Sequence, residues 1–396
     1  MRKSLLILLL FSSFGLFSCE EKEIVTEVAP IELSIDMVDS LDLEILGNPL
    51  MASVNKEGSL ISFFDFPSSE TIITNSNGEI LGQFSKKEDT PDAYGFKLEL
   101  PVLWGEDRVI LIGMRGIFIY DLDGNMIKKI DHAEAMGSAG SMSMPGLTAK
   151  IVRLEGKEYL MTKSFRSRDT YPGEQKFYDT YKAVELVDLE TGEMQDFGPF
   201  EADTKFLDGM GYVQSDYAPA FHVRNGKLYL SHGSDPILYI YDFSAEEAKL
   251  DTAIHLAIPD FYEVEGLPRS EFSPGNVTIN GGTAAIRNIL IQDGKVLVHY
   301  YPGIDPKIME EARALWSTGK EEEGEAIYNK AASETKPGIL VFDEKSLNYL
   351  GTLSFPTGIN PSGFMADDNF LYFQRTPDPD VEEDFLRIYK KKLTEK

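Results

Sequence analysis

Short apolar segments that end in Asp or Asn and a turn recur along most of the chain. Copies lie at 73–78, 119–124, 186–192, 240–243 and 340–343, and a last copy at 388–391 lacks the turn residues. Apolar positions before and after each turn, such as Ile127 and Ile130 after the turn at Gly124, describe hairpins of half-buried strands. The pattern therefore predicts a chain built mainly from antiparallel β-strands.

Prolines give a second marker of the same repeat, because proline is tolerated at the first position of a strand. We expect a strand to begin near each of these prolines: Pro49, Pro101, Pro145, Pro219, Pro274 and Pro361. Two longer intervals between them coincide with segments that do not resemble strands. Six copies of one four-stranded unit therefore fit residues 31–396.

The fourth copy shows the unit most clearly. It predicts strands at 219–223, 227–231, 237–242 and 250–256, with a turn at Asn225-Gly226. Six such sheets around an axis form a six-bladed β-propeller, in which radial repetition protects the strand edges. We expect the last blade to contain strands at 363–366, 370–374 and 385–389, with a frayed Leu393, and to be completed by an N-terminal strand at 31–37. Two packed sheets or a split barrel are the competing folds.

Two insertions interrupt the repeat. Residues 305–336 carry apolar residues at helical spacing on both sides of Gly319, which predicts a helical hairpin in blade five. Trp316 in this hairpin either packs against a blade or docks a partner protein. Residues 164–182 in blade three combine arginines with aromatic residues, a composition typical of binding surfaces. A ligand site there would use Arg166, Arg168, Tyr171, Tyr178 and Tyr181, and the alternative is a long hairpin whose aromatic residues pack on their own blade.

Composition narrows the class of partner. The 396 residues contain 38 basic and 65 acidic side chains, a net charge of −27, which argues against nucleic acid as a ligand. One cysteine excludes an intrachain disulfide and a cysteine-cluster metal site. No motif predicts a catalytic residue, a metal site or a cofactor. An axial site assembled from single polar residues of several blades would leave no motif, and Asn48, Asn276, Arg287 and Asn360 are the candidates for it.

The N-terminal residues resemble a bacterial lipoprotein signal. Arg2 and Lys3 precede an apolar stretch at 5–17, which is too short for a membrane span. The run Leu16-Phe17-Ser18-Cys19 resembles a lipobox, which implies removal of residues 1–18 and lipidation of Cys19. The alternative is a plain secretory peptide with an incidental thiol. The acidic residues that follow, in the predicted tether 19–30, resemble the surface-export signal of Bacteroidetes lipoproteins, and a solvated linker is the alternative.

A lipoprotein signal followed by six divergent blades resembles the Bacteroidetes propeller lipoproteins of unknown function and, more remotely, TolB-type propellers. The resemblance implies a location at the outer membrane, on the cell surface if the export signal is real, but it implies no activity. We therefore expect a lipid-anchored, non-catalytic propeller that binds an envelope protein or a glycan or peptide ligand. The alternatives are a propeller hydrolase or lactonase with an axial metal, and a structural subunit of an envelope complex.

Overall fold

The computed structural model describes residues 32–395 except 46, 88, 135, 137–143, 276–277, 279, 379–380 and 382–383. The predicted signal peptide, Cys19 and nearly all of the tether lie outside the described residues. Within the described part of the chain, the strands pair into six antiparallel sheets of four strands. The sheets form a six-bladed β-propeller, so the predicted fold class is confirmed.

The first three blades follow one another along the chain. Blade one contains β2 (Leu50–Val54), β3 (Leu60–Asp65), β4 (Glu70–Asn75) and β5 (Ile80–Ser85). Blade two contains β6 (Val102–Trp104), β7 (Arg108–Gly113), β8 (Gly116–Asp121) and β9 (Met126–Ile130). Blade three contains β10 (Lys150–Leu154), β11 (Lys157–Lys163), β12 (Val184–Asp188) and β13 (Met194–Phe197).

The remaining blades carry the chain termini and the helical insertion. Blade four contains β14 (Pro219–Arg224), β15 (Lys227–His232), β16 (Ile237–Phe243) and β17 (Ala248–His255). Blade five contains β18 (Ala285–Gln292), β19 (Lys295–Tyr301), β20 (Gly338–Asp343) and β21 (Tyr349–Ser354). Blade six contains β22 (Met365–Ala366), β23 (Leu371–Gln374), β24 (Leu386–Glu395) and, as its outer strand, β1 (Leu33–Leu43).

The N-terminal strand closes the ring, as the sequence predicts. β1 pairs with β24 from Leu33 opposite Glu395 to Leu43 opposite Leu386. Leu393 is not frayed, because it pairs with Ile35 inside this ladder. The closing strand is thus longer than expected and pairs the first described strand with the last.

One proline marker was wrong. Pro274 does not begin a strand, because the first strand of blade five starts eleven residues later, at Ala285. The strands begin within five residues of the other five prolines. Pro274 therefore belongs to the long connection between blades four and five, where a missing backbone donor breaks no ladder hydrogen bond.

The blades pack through the apolar side chains between neighbouring sheets. From blade six round to blade five, the first strand of each blade contacts the first strand of the next blade. The strands in contact are, in order, β22, β2, β6, β10, β14 and β18. Residues of blades five and six share a core cluster that includes Leu297, Phe364 and Phe373. Burial of these faces is the main stabilising contribution, since apolar area contributes about 25 cal/mol per Å² removed from water.

The predicted helical pair is confirmed in blade five. It consists of α2 (Pro306–Ser317) and α3 (Glu321–Glu334), and a third short helix, α1 (Gln175–Thr180), lies in the blade-three insertion. Asp305 caps α2 by accepting a hydrogen bond from the Lys307 backbone N–H at 2.9 Å, and proline follows at the first helical position. Gly319, with a φ of +77°, makes the turn between the two helices.

Candidate functional site

The two ends of the propeller differ sharply in the length of their connections. Within a blade, the first strand is joined to the second, and the third to the fourth, by short turns. Wherever the chain connects such a pair directly, the turn has at most five residues, as at 225–226 and 244–247. The other connections all leave from the opposite end, since consecutive strands are antiparallel. They include 86–101, 131–149, 164–183, 198–218, 256–284 and 302–337. We call these ends the short-turn face and the loop-bearing face.

The loop-bearing face is the end on which a binding site is expected, because long loops on a rigid scaffold are the usual carriers of function. Both insertions that the sequence singles out lie there. Exposed apolar side chains also lie in its blade-one and blade-two connections: Phe96 is 67% exposed, Phe66 53% and Met114 52%. The backbone N–H of Met114 donates to the Phe96 carbonyl at 2.9 Å, so these two side chains are held beside each other.

The two arginines of the blade-three insertion are engaged by carboxylates of their own blade. Arg166 Nε donates to Glu185 Oε1 at 2.6 Å, and Arg168 Nη2 donates to Asp196. Arg168 Nη2 also donates to Ser164 Oγ at 2.9 Å. Glu185 is buried, and desolvation raises its pKa although Arg166 opposes the shift. The guanidinium groups therefore stabilise the insertion, and an anionic ligand would have to compete with these carboxylates.

The tyrosines of the same insertion differ in exposure. Tyr181 is 8% exposed and stacks on Phe200 with ring centroids 3.9 Å apart and planes 4° from parallel. Tyr178 is also buried, and its hydroxyl donates to the Pro172 carbonyl at 2.9 Å. Tyr171 alone of the three remains partly exposed. Two of the five residues predicted to contact a ligand are thus core residues, and the packing corresponds to the alternative that the sequence left open.

Trp316 packs on the second helix of its own hairpin. Its ring centroid lies 6.0 Å from that of Tyr328, and any Cβ at Gly324 would come within 2.7 Å of the indole. The indole remains 36% exposed and borders a groove with Tyr328, Asn329, Glu321 and Glu325. Met309 and Ala331 fix the hairpin to blade five, in a cluster with Tyr301 and Ile304. Docking of a partner at Trp316 remains a prediction.

The propeller axis is closed at the loop-bearing face. The turn from Met144 to Leu147, which precedes β10 of blade three, reaches the inner strands of blades five and six. Gly146 has a φ of +90°, and a Cβ there would lie 2.2 Å from Asn288 Cγ on β18. Asn288 Nδ2 in turn donates to the Phe364 carbonyl, before β22, at 2.8 Å. Contacts with blades on the far side of the ring place this turn at the axis.

A lysine spans the axis beneath that turn. Lys150 Nζ donates to the carbonyls of Phe221 on β14 at 2.7 Å and of Ile289 on β18 at 3.2 Å. Burial lowers the pKa of Lys150 to about 7 and, together with the Lys150 charge, lowers that of His222 well below its usual value. The Lys150 ammonium group ties the inner strands of blades three, four and five together.

A buried ion pair joins blades two and three. Lys163 Nζ lies 3.5 Å from Glu99 Oε2, with side chains 3% and 0% exposed. Burial raises the pKa of Glu99 and lowers that of Lys163, while each charge opposes the shift of the other. Lys97 lies close enough to act on Glu99, and burial lowers its pKa to about 8. Its Nζ sits 4.5 Å from the Phe64 ring centroid, a cation–π distance.

Three of the residues predicted for an axial site, Asn48, Arg287 and Asn360, share no hydrogen bond with one another in the described part of the chain. Asn48 Oδ1 accepts from Gln374 Nε2 at 3.2 Å, and Asn360 Oδ1 accepts from the Ser362 backbone N–H at 2.9 Å. Arg287 is buried in blade five, and Asn276 lies outside the described residues. Over the described ranges, no three His, Cys, Asp or Glu side chains are grouped so that they could hold a metal ion.

Glu99, Lys163 and Asn288, which are buried, and Lys150, which is partly buried, are polar residues that sequence reasoning missed. Each is a single residue in an apolar strand or loop, and its partner comes from another blade. The only available signal was a polar residue where strand alternation expects an apolar one, and this signal identifies neither a partner nor a role.

Comparison with known proteins shows the fold and no more. No family model matches the chain, and no curated protein matches it. The chain is similar to a solved member of the DUF4221 family from Bacteroides vulgatus ATCC 8482, with a TM-score of 0.60 and 12% identity over 92% of this chain and 99% of that one. It is also similar to a protein from Bacteroides fragilis NCTC 9343 that carries the description of an exported protein, with a TM-score of 0.50 and 12% identity over 94% and 98%.

The same architecture thus occurs in chains of nearly the same extent from Bacteroides. At 12% identity this likeness carries no residue role from those proteins to this one. Among the described residues, no helix is both long enough and apolar enough to cross a membrane.

Proposed function

We propose that this protein is an exported, lipid-anchored binding protein of the bacterial envelope, which presents the loop-bearing face of its propeller to a partner protein. The one-sided distribution of connections carries the proposal. The anchor is inferred from the signal-like residues before Cys19 and from the likeness to a Bacteroides protein described as exported.

The direction of β1 supports an anchor and long loops on opposite sides of the propeller. β1 is a fourth strand, so its last residue, Leu43, lies at the loop-bearing face and its first, Leu33, at the short-turn face. The residues from 20 to 32 connect Cys19 to that strand and, fully extended, would span at most about 45 Å. A chain lipidated at Cys19 would therefore be held from its short-turn side, and the long loops would be directed away from the membrane.

The character of the loop-bearing face favours a protein over a small anionic ligand. Phe66, Phe96 and Met114 are exposed apolar residues, and Trp316 adds an aromatic group on the hairpin. Large exposed apolar and aromatic side chains are typical of interaction surfaces. The arginines of the blade-three insertion already bind carboxylates, so they offer less to an anion.

The anchor is tested by mass spectrometry of the protein purified from its host membranes. We expect the first peptide to begin at an acylated Cys19, and Cys19→Ala to leave the protein uncleaved or in the soluble fraction. Ser18→Ala keeps a small residue before the cysteine and serves as the matched control, with processing unchanged. A wild-type protein that retains Met1, or that carries a free thiol at Cys19, would refute the anchor.

The binding face is tested by inserting a charge into exposed apolar positions. We expect Phe96→Glu to abolish capture of the partner identified by cross-linking in cells, whereas Ile127→Glu should have no effect. Ile127 is 56% exposed on β9, the outer strand of blade two, so the chemical change is matched while the location differs. Equal loss with both variants, or loss with Ile127→Glu alone, would contradict the assignment of the face.

A further inference from the structure

A small enclosed cavity lies between the start of β18 and the connections that lead into blades three, four and five. The centre of a water-sized sphere can occupy about 10 Å³ of it, so the cavity holds one atom somewhat larger than a water oxygen. Its polar lining comes from Ser215, Asn280, Thr283 and Arg287, and the rest is apolar, including Leu147 and Ile286. No carboxylate lines it.

Arg287 is directed toward this cavity by an irregularity in its strand. The pairing of β18 with β19 shifts register between Ile286 and Asn288, so Arg287 is the extra residue of a β-bulge. Bulges re-aim side chains and are frequent beside functional sites. The guanidinium lies over the Tyr301 ring at 3.7 Å from its centroid, and this contact fixes its plane.

The hydrogen bonds of this guanidinium are incomplete. Arg287 is 5% exposed, its Nη2 makes one long contact of 3.4 Å with the Gly281 carbonyl, and its buried Nε has no partner among the described residues. The Thr283 hydroxyl, also in the lining, is likewise buried and unpartnered in the described part of the chain. Ser215 Oγ accepts from the Asn280 backbone N–H at 3.0 Å, and its hydroxyl donates to the Asp216 carboxylate, so Ser215 has partners already.

The charge of Arg287 is also uncompensated. None of the ion pairs found among the described residues includes Arg287. Asp216 follows the lining residue Ser215, but the cations that act on its carboxylate are Lys205 and Arg313. A buried charge without a counter-ion costs several kcal/mol, so an anion is the missing partner.

From these contacts we infer that the cavity is a binding site for a small monovalent anion of the size of chloride, held by Arg287 Nε and the Thr283 hydroxyl. The volume admits one atom, which favours a halide over phosphate or sulfate. A bound anion would join the first strand of blade five to the connections from blades three and four, and would thereby stabilise the loop-bearing face.

Bromide provides the direct test, because it scatters anomalously and replaces chloride. In crystals of the protein grown in sodium bromide, we expect an anomalous peak within hydrogen-bond distance of Arg287 Nε. The peak should be absent from Arg287→Met and weaker in Thr283→Val, which removes one donor and leaves the charge. A cavity that contains density without anomalous signal, a water only, would overturn the proposal.

Thermal unfolding gives a second readout that needs no crystal. At equal ionic strength, sodium chloride should raise the unfolding temperature above its value in sodium gluconate, by about 2 °C at a concentration ten times Kd. Arg153→Met removes the same charge from an exposed position and should keep this response. Arg287→Met should lose it, even if removal of the buried charge alters the unfolding temperature itself. Equal responses of Arg287→Met and the wild type would refute the site.

Discussion

Replacement of Tyr181 separates the structural role of the blade-three insertion from a role in ligand binding. The ring is 8% exposed, stacks on Phe200 at 3.9 Å and has Tyr217 and Phe177 within 6 Å. A buried aromatic ring of this kind removes about 150–250 Å² from water, which at about 25 cal/mol per Å² corresponds to about 4–6 kcal/mol. Measured aromatic-to-alanine replacements in cores cost about 3–5 kcal/mol.

We therefore expect Tyr181→Ala to lower the free energy of unfolding by about 4 kcal/mol, measured by urea unfolding followed by circular dichroism. Tyr181→Phe should cost only about 1 kcal/mol, because it removes one hydrogen bond, from the hydroxyl to the Tyr217 carbonyl at 3.2 Å. Tyr171→Ala should change stability by less than about 1 kcal/mol, since that side chain is partly exposed and forms no hydrogen bond with another described residue.

Two outcomes would assign the insertion to ligand binding. A Tyr181→Ala variant with wild-type stability that loses its ligand would show that the ring is presented to the ligand and not to Phe200. Conversely, a folded Tyr171→Ala variant that loses binding would place the ligand on the exposed part of the insertion. Alanine at all five predicted positions would be uninformative, because two of the changes remove core residues.

Two further expectations concern the buried polar groups, and a third concerns the axial turn at Gly146. Glu99→Gln alone should lower the free energy of unfolding by about 3–5 kcal/mol, because it leaves Lys163 buried without its carboxylate. In a double-mutant cycle, Glu99→Leu combined with Lys163→Met should recover most of that loss, and equal losses in the single and double variants would contradict the pairing. Burial lowers the pKa of His232 and of His299 to about 3, so the unfolded chain binds protons that the folded chain excludes. The free energy of unfolding should therefore be retained above pH 6.5 and fall by up to about 1.4 kcal/mol per pH unit per histidine as the pH decreases towards 3, and His299→Phe should reduce this slope in urea titrations. Gly146→Ala should lower the unfolding temperature by several degrees, because its φ of +90° and the contact with Asn288 both oppose a Cβ; an unchanged temperature would show that the axial turn can move aside.

Much of the fold could be predicted because its rules are local. The Asp-ended strands and their turns predict hairpins, as at Asn225-Gly226 in blade four, where the observed strands 219–224 and 227–232 differ from the predicted ones by one residue. The closure of blade six was also predictable. The last sheet lacks its outer strand, and the N-terminal segment alternates apolar and polar residues as an outer strand does. Pro274 misled because a proline is as acceptable in a loop as at a strand start.

The candidate sites could be predicted only in outline. Composition identified the two insertions, but it could not show that Arg168 faces Asp196 or that Tyr181 faces Phe200, because both contacts depend on how the insertion folds back on the sheet. The axial lysine and the Arg287 cavity were beyond reach for the same reason. Each brings together residues from three blades or from the connections that lead into them, and no spacing along the chain encodes those distances.

Photo-cross-linking in living cells tests the central claim most directly. A photoreactive phenylalanine analogue would be placed at Phe96 or Thr318 on the loop-bearing face, and at Asn77 or Asp123 on the short-turn face, all of which are exposed. We predict that the first pair yields adducts with one partner protein and that the second pair does not. Adducts formed from Asn77 and Asp123 but not from Phe96 or Thr318 would contradict the account.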